Sequence, residues 1–142
     1  MLVLSANIRL QPDYLWDPVA TEVRARLFEK FGFRKRALGQ PALLCEIVAC
    51  IQNVAGVAYV DVDAFGGVPE KKTDQDGTRR LLTLDEISQT ITDIVSNATT
   101  TSTPAQAVTT GIATIENGTL IAAQLAMFTS SVPDTIVLNQ IK

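Results

Sequence analysis

Histidine is absent from the 142-residue chain. That removes the side chain most often used as a general base near neutral pH, and the commonest metal ligand. Cysteine is scarce, with Cys45 and Cys50 the only two. On one helix they stand five residues apart, about 140° around the axis, so they neither bridge each other nor form a CxxC motif. They read as buried, reduced thiols of a chain folded in a reducing compartment. No apolar run approaches the roughly 18 residues that span a bilayer. The opening MLVLSANIRL is interrupted by Asn7 and Arg9 and lacks a basic leader, so it does not read as a signal peptide. Positive charge is not in excess either. The formal net charge is -3 and the pI about 4.8, so phosphate backbones meet no chain-wide attraction and nucleic acid is not an expected partner.

What is present suits a single domain over residues 1–142. Hydrophobic residues make up 46% and charged ones 19%, enough to bury a core. The organising stretch is GQPALLCEIVACIQNVAGVAYVDVDAF, residues 39–65. Leu43, Leu44, Ile47, Val48 and Ile51 are spaced three and four apart and predict a buried helix opened by Gly39-Gln40-Pro41. A tight turn at Ala55-Gly56 follows. A strand over 57–64 then places Ala58, Val60, Val62 and Ala64 on one face and Tyr59, Asp61 and Asp63 on the other.

The remaining elements follow from the same two periodicities. Leu2, Leu4, Ala6, Ile8 and Leu10 alternate with Val3, Ser5, Asn7 and Arg9, a strand with one buried and one wetter face. Gln11-Pro12-Asp13 ends it. A helix from Asp17 to Phe31 carries the stripe Trp16, Val19, Val23, Leu27 and Phe31, with Asp17 as its cap, Pro18 in its first turn and Gly32 as its stop. Thr83 and Glu86 form a capping box for a helix with Ile87, Ile91, Ile94 and Val95 on one stripe. Glu116-Asn117-Gly118 between two apolar runs predicts a hairpin. AAQLAMF reads as a short helical turn, and Val132-Pro133-Asp134 breaks it before a last strand, TIVLNQI. The expectation is an α+β fold: a mixed β-sheet with helices packed mainly on one face, in the order strand-helix-helix-strand, then helix, hairpin, short helix, strand. The first two strands are expected to be neighbours. Residues 66–80 and 98–110 are expected to be exposed loops.

Candidate chemistry is thin. Asp61 and Asp63 share a strand face and are the carboxylates best placed for a metal, or for acid–base work with Arg79 or Arg80. No third ligand lies close in sequence, so a solvated or salt-bridged face is the reading adopted. Asp74-x-Asp76-Gly77 matches part of a calcium loop, but Lys72 and Thr83 stand where the pattern needs acids, and a type I turn or hairpin tip fits better. Arg34, Lys35 and Arg36 are three cations in a row, read as a solvated connector or an acid-facing protein contact. Asn97-Ala98-Thr99 and Asn117-Gly118-Thr119 match the glycosylation tripeptide and, without a secretion signal, read as chance. There is no nucleophile elbow, phosphate loop or HExxH. Hence no catalytic, cofactor-binding or metal site is assigned and no cofactor is expected.

Two stretches, residues 7–65 and 118–141, carry a resemblance. Its landmarks are Pro12-Asp13-Tyr14, Phe31-Gly32-Phe33, Leu38-Gly39-Gln40, Ile51-Gln52 leading into Gly56-Val57, Val60-Asp61-Val62, Ala123-Gln124-Leu125-Ala126 and Val132-Pro133-Asp134-Thr135. In this ordered series the chain resembles the C-terminal region of baseplate assembly proteins of the baseplate J-like group, found in contractile phage tails and phage-tail-like injection systems of bacteria. Residues 71–110 match only loosely. The resemblance implies the C-terminal module of a longer protein, with a structural and not an enzymatic role. It implies docking onto other wedge and hub proteins and onto copies of itself around a six-fold axis, with the isolated module a monomer or a dimer. It places the protein in the bacterial cytoplasm during assembly and then in the baseplate of the phage or tail-like particle. The alternatives are a small ligand-binding or regulatory α+β domain, and an Asp-based metal-dependent enzyme.

Overall fold

A computed structural model describes residues 1–97, 103–132 and 134–142. The tripeptide at 97–99, residues 98–102 of the expected loop, and Pro133 lie wholly or partly outside these residues. The fold is α+β, as expected. Its centre is β1 (Leu2–Leu10), flanked by β3 (Val57–Gly67) and β9 (Ile136–Ile141) in the order β3-β1-β9. β1 runs antiparallel to β3 and parallel to β9. The first two long strands are therefore neighbours. The two helices between them carry the chain away and back to the end of β1 that it left, so Val57 begins β3 opposite Leu10 and the pairing is antiparallel.

Leu2, Leu4, Ala6 and Ile8 are fully buried on the face that α1 (Trp16–Phe31) and α2 (Leu44–Gln52) cover. Val19, Val23, Leu27 and Phe31 of α1 and Ile47 and Ile51 of α2 meet them there. The third helix, α3 (Leu84–Asn97), lies elsewhere. Its Ile91 packs with Val3 and Val68 in a separate small cluster, joined by Ile87, Ile94 and Val95. Val3 alternates with the core residues of β1, so α3 covers one end of the opposite face. Two of three helices thus share a face.

The β3 pattern needs correction. Ser5 pairs with Ala64 but Ala6 pairs with Val62, so Asp63 is an extra residue in the ladder. This β-bulge reverses the alternation beyond it. Phe65 opposite Leu4 fills the core, and Ala64 turns to the other face with Ser5. A second shift leaves Ala58 unpaired and exposed, with Val57 buried opposite Leu10. The core face of β3 is therefore Val57, Val60, Val62 and Phe65.

Helix starts also differ. Leu15, not Asp17, is the first cap position of α1, and no side chain caps it; Asp17 sits inside the first turn, where its charge favours the helix dipole. Gly32 ends the helix in extended backbone, and a Cβ there would fall 2.2 Å from the Phe28 carbonyl oxygen. Gly39-Gln40-Pro41 does not open α2. The chain first forms β2 (Ala42–Leu43), paired with β6 (Ala107–Val108), and the Leu44 N–H donates to Gln106 O at 2.9 Å. A neighbouring segment satisfies this helix end, so no capping side chain is needed. The α3 box forms as read: Glu86 N–H donates to Thr83 Oγ1 at 3.3 Å and Thr83 N–H to Glu86 Oε2 at 3.0 Å.

Residues 66–80 include the hairpin of β4 (Lys71–Thr73) and β5 (Arg79–Leu81), its tip at Asp74–Thr78. The Asn-Gly hairpin joins β7 (Thr114–Glu116) to β8 (Thr119–Ile121), with Asn117 and Gly118 both at positive φ. AAQLAMF is not helical. Residues 122–128 form neither helix nor strand, with Ala126 and Phe128 buried and Gln124 exposed. Leu2 N–H donates to Met127 O, and Phe128 N–H to Phe31 O. The Phe128 ring meets the Phe31 ring edge-on at 6.2 Å.

Candidate functional site

Of the two β3 carboxylates singled out in the sequence, Asp63 takes part in a hydrogen-bonded row across the sheet. Asp63, at the bulge, accepts a hydrogen bond from Asn7 Nδ2 at 2.7 Å, and Asn139 Nδ2 donates to Asn7 Oδ1 at 3.3 Å. A polar row thus crosses β3, β1 and β9. Asp61 stands opposite Asn7 in the ladder. Among the described residues no cluster of three His, Cys, Asp or Glu is placed to hold a metal ion. Arg79 and Arg80 bond elsewhere. Arg79 lies 3.9 Å from Glu116, and Arg80 binds Asp74 and Glu86. Asp76 accepts from Thr78 N–H at 2.9 Å, so the partial calcium motif is a turn closing the β4–β5 hairpin.

Glu86 gathers several partners. Both its oxygens take Arg80 nitrogens at 2.7 Å, Lys72 Nζ lies at 3.2 Å, and the Thr83 N–H completes the set. Arg80 above all, then the Thr83 amide and Lys72, hold its carboxyl well below the usual carboxylate range. The hairpin is thereby fastened to the start of α3.

The three cations of the connector do not act together. Phe33–Lys35 is a short 3-10 turn with Arg34 and Lys35 exposed. Arg36 points inward, its side chain only 4% exposed. Its guanidinium donates to Ala126 O, Gln40 O and Pro41 O at 3.1, 3.1 and 2.6 Å and lies 5.5 Å from the Phe31 ring centre. Sequence reasoning missed this clamp, because its acceptors are carbonyls up to 90 residues away. A depression of about 380 Å3 beside it is lined by Glu29, Lys30, Lys35, Arg36, Gln40 and Glu46. Small-molecule pockets of that size are mainly apolar. The thiols also separate: Cys50 is buried, but Cys45 is exposed, contrary to the expectation for both.

The most distinctive surface is the β7–β8 arm. Gly111 and Gln124 exchange hydrogen bonds, Gln124 N–H to Gly111 O at 2.9 Å and Gly111 N–H to Gln124 Oε1 at 3.2 Å. They stand in the same register as Thr114 with Ile121. The arm therefore runs from 111 to 124. Gly39 N–H donates to Gln124 O at 2.9 Å and ties its base to the connector. A Cβ on Gly39 would fall 2.7 Å from Ile112 Cγ2, so glycine is required for that approach. Ile115 and Leu120 are direct cross-strand partners and share a face. They are 75% and 71% exposed. Glu116, on the other face, reaches toward Arg79 of the body. The apolar side of this arm looks outward.

Charge is missing around it. From residue 94 to residue 133, Glu116 is the only Asp, Glu, Lys or Arg. Protein surfaces ordinarily carry about a quarter to a third of such residues. This signal was available in the sequence, whereas the outward orientation of the hairpin was not. No helix among the described residues is long and apolar enough to cross a membrane. The chain is thus an α+β protein with a tied polar scaffold and an apolar projecting hairpin. No known protein family, curated protein or solved structure matches it.

Proposed function

We propose that the chain is a non-enzymatic assembly module that docks other protein chains in the baseplate of a contractile phage tail or tail-like injection system. The observation that carries this reading is the β7–β8 arm, which leaves Ile115 and Leu120 exposed on a segment that holds a single charged residue, Glu116. Interface cores are depleted in charge and rich in large apolar side chains. Leu38 and Ile112, each 67% exposed, continue the apolar character at the base of the arm.

The landmarks of the resemblance support the same reading. Several that are distant in sequence meet in space: the Tyr14 ring lies against Gly56, and Gly39 bonds Gln124. The partners are wedge and hub proteins, and the site of action is the assembling baseplate in the bacterial cytoplasm and then the finished particle.

The test is co-expression with the products of the genes beside it. Co-purification with identified sheath, spike or wedge proteins supports the proposal. Neighbouring genes of metabolic type, or a purified chain that stays separate from every tail protein encoded nearby, overturns it.

A further inference from the structure

We infer that the outer edge of β9 is a strand-addition site, where an extended, uncharged segment of another protein chain pairs with the main chain at Ile136, Leu138 and Gln140. The inference rests on the docking reading and adds to it a second surface and the form its partner takes. β9 is an edge of the three-stranded sheet and, among the described residues, pairs with β1 alone. Leu4 N–H donates to Thr135 O at 2.8 Å. In a parallel ladder, alternate residues bond to the same neighbour. Val137 and Asn139 therefore turn their main-chain groups to β1, and Ile136, Leu138 and Gln140 turn theirs away. Among the described residues nothing bonds the N–H and C=O groups of those three.

The two edges of the sheet are built differently. β3 breaks its ladder twice, at Asp63 and at Ala58, and its last residue, Gly67, lies against Val108 of β6. Bulges and covering segments of this kind keep an edge from pairing with other chains. β9 has neither. Its sequence IVLNQI holds no charge, proline or glycine, and its pairing with β1 runs without a register shift. On the middle strand Leu4, Ala6 and Ile8 are 0% exposed, whereas Ile136 and Leu138 keep 7% and 8% although their side chains join the same core. The occupant is selected by the main chain. A row of outward N–H and C=O groups is matched by the backbone of an extended segment, which an apolar patch or a helix does not offer. The positions it would face set its side chains. One face of the incoming strand continues the row of Ile136 and Leu138, and the other lies beside Val137 and Ile141, so the segment is apolar, rich in branched residues and free of charge.

Amide exchange, resolved residue by residue in the free full chain, reads the edge directly. Val137 and Asn139 are expected to be protected, and Leu138 and Gln140 to exchange much faster. Equal protection would mean that the edge is already covered, which overturns the inference and leaves the assembly reading untouched. Protection of Leu138 and Gln140 that appears only as the chain is concentrated would make the occupant a second copy, which also overturns it. Co-purification with the tail proteins encoded beside the gene then reads the pairing. Gln140→Pro removes one outward N–H and sets a ring in the path of an added strand, at an edge position where proline is tolerated. It is expected to cut recovery of a tail partner about tenfold with melting little changed. Gln140→Ala keeps the N–H and is expected to bind as the wild type does. Asn139→Pro removes a donor to β1 and is expected to lower Tm, which marks the loss due to a damaged sheet. Equal capture by Gln140→Pro and the wild type, or equal loss in Gln140→Pro and Gln140→Ala, overturns the inference while the assembly reading stands. A wild-type chain that captures no tail protein overturns both.

Discussion

Arg80 and Glu86 form a two-pronged ion pair, with both guanidinium–carboxylate contacts at 2.7 Å. Glu86 also closes the α3 capping box through Thr83. One side chain thus fastens a hairpin and starts a helix. Glu86→Gln keeps the shape and loses the charge. It is expected to lower Tm at neutral pH, though less than a core truncation does, since the site is open to water. The sign with pH follows from the depressed carboxyl. Its stabilisation is fully present above the ordinary glutamate pKa of about 4.3 and is lost as pH falls toward the lower folded value. The gap between the melts of the two proteins should therefore be constant from pH 7 to about pH 5 and start to narrow below about pH 4. A gap still constant at about pH 3 would remove Glu86 from the acid sensitivity of the fold.

Arg36 illustrates a different use of charge. Its guanidinium joins two nearby carbonyls, Gln40 O and Pro41 O, to the distant Ala126 O while almost wholly out of water. Arg36→Met is expected to cost about 1–3 kcal/mol, because the partly buried Ala126 carbonyl loses its side-chain donor. Arg36→Lys should recover little of it, because a single ammonium cannot reproduce the planar fork. Denaturant unfolding of the two variants measures both. A lysine variant as stable as the wild type would show that charge alone, without the fork, holds the segments.

Legibility divides along the line between local and distant causes. The Thr83–Glu86 box and the Asn117-Gly118 turn depend on neighbours in sequence, and each appears where the residues place it; β1 forms as read, but Val3 and Ser5 on its expected wetter face are buried. The α2 start failed because its first amide is satisfied by Gln106, far along the chain. The β3 faces failed because one extra residue, Asp63, flips the pattern, and bulges leave little trace in hydropathy. AAQLAMF failed for a correctable reason. Ala126 and Phe128 are two apart, a strand period, and its helix-forming alanines outweighed that signal. The arm was half legible: its hairpin was readable, but the bond from Gly39 N–H to Gln124 O that ties its base joins residues far apart in sequence.

The two cysteines should react very differently. Cys45 is exposed on α2, whereas Cys50 is buried and its burial pushes the thiol pKa up. The thiolate is the reactive form, so both access and ionisation protect Cys50. Brief alkylation of the folded protein at pH 8 is expected to add one group, at Cys45, with the second added only in denaturant. Intact mass followed by peptide mapping reads the outcome. Equal labelling of both positions in the folded chain would contradict the burial of Cys50.

Gly56 and Gly77 share positive φ, +93° and +84°, but not their surroundings. Around Gly77 nothing lies within 4 Å of an added Cβ, whereas at Gly56 the Tyr14 ring stands 2.3 Å away. Gly77→Ala therefore carries the backbone cost alone, about 1 kcal/mol. Gly56→Ala carries that cost and a collision, in the turn that joins α2 to β3 and where Gln11 N–H donates to Gly56 O. It is expected to be clearly the more destabilising. Removing the ring separates the two causes. In the double variant Tyr14→Ala with Gly56→Ala, the collision is gone, so the combined loss should fall short of the sum of the single losses by about 0.5–3 kcal/mol. Additive losses would mean that the ring moves aside freely, and Tyr14 would then not be the reason for glycine at this turn.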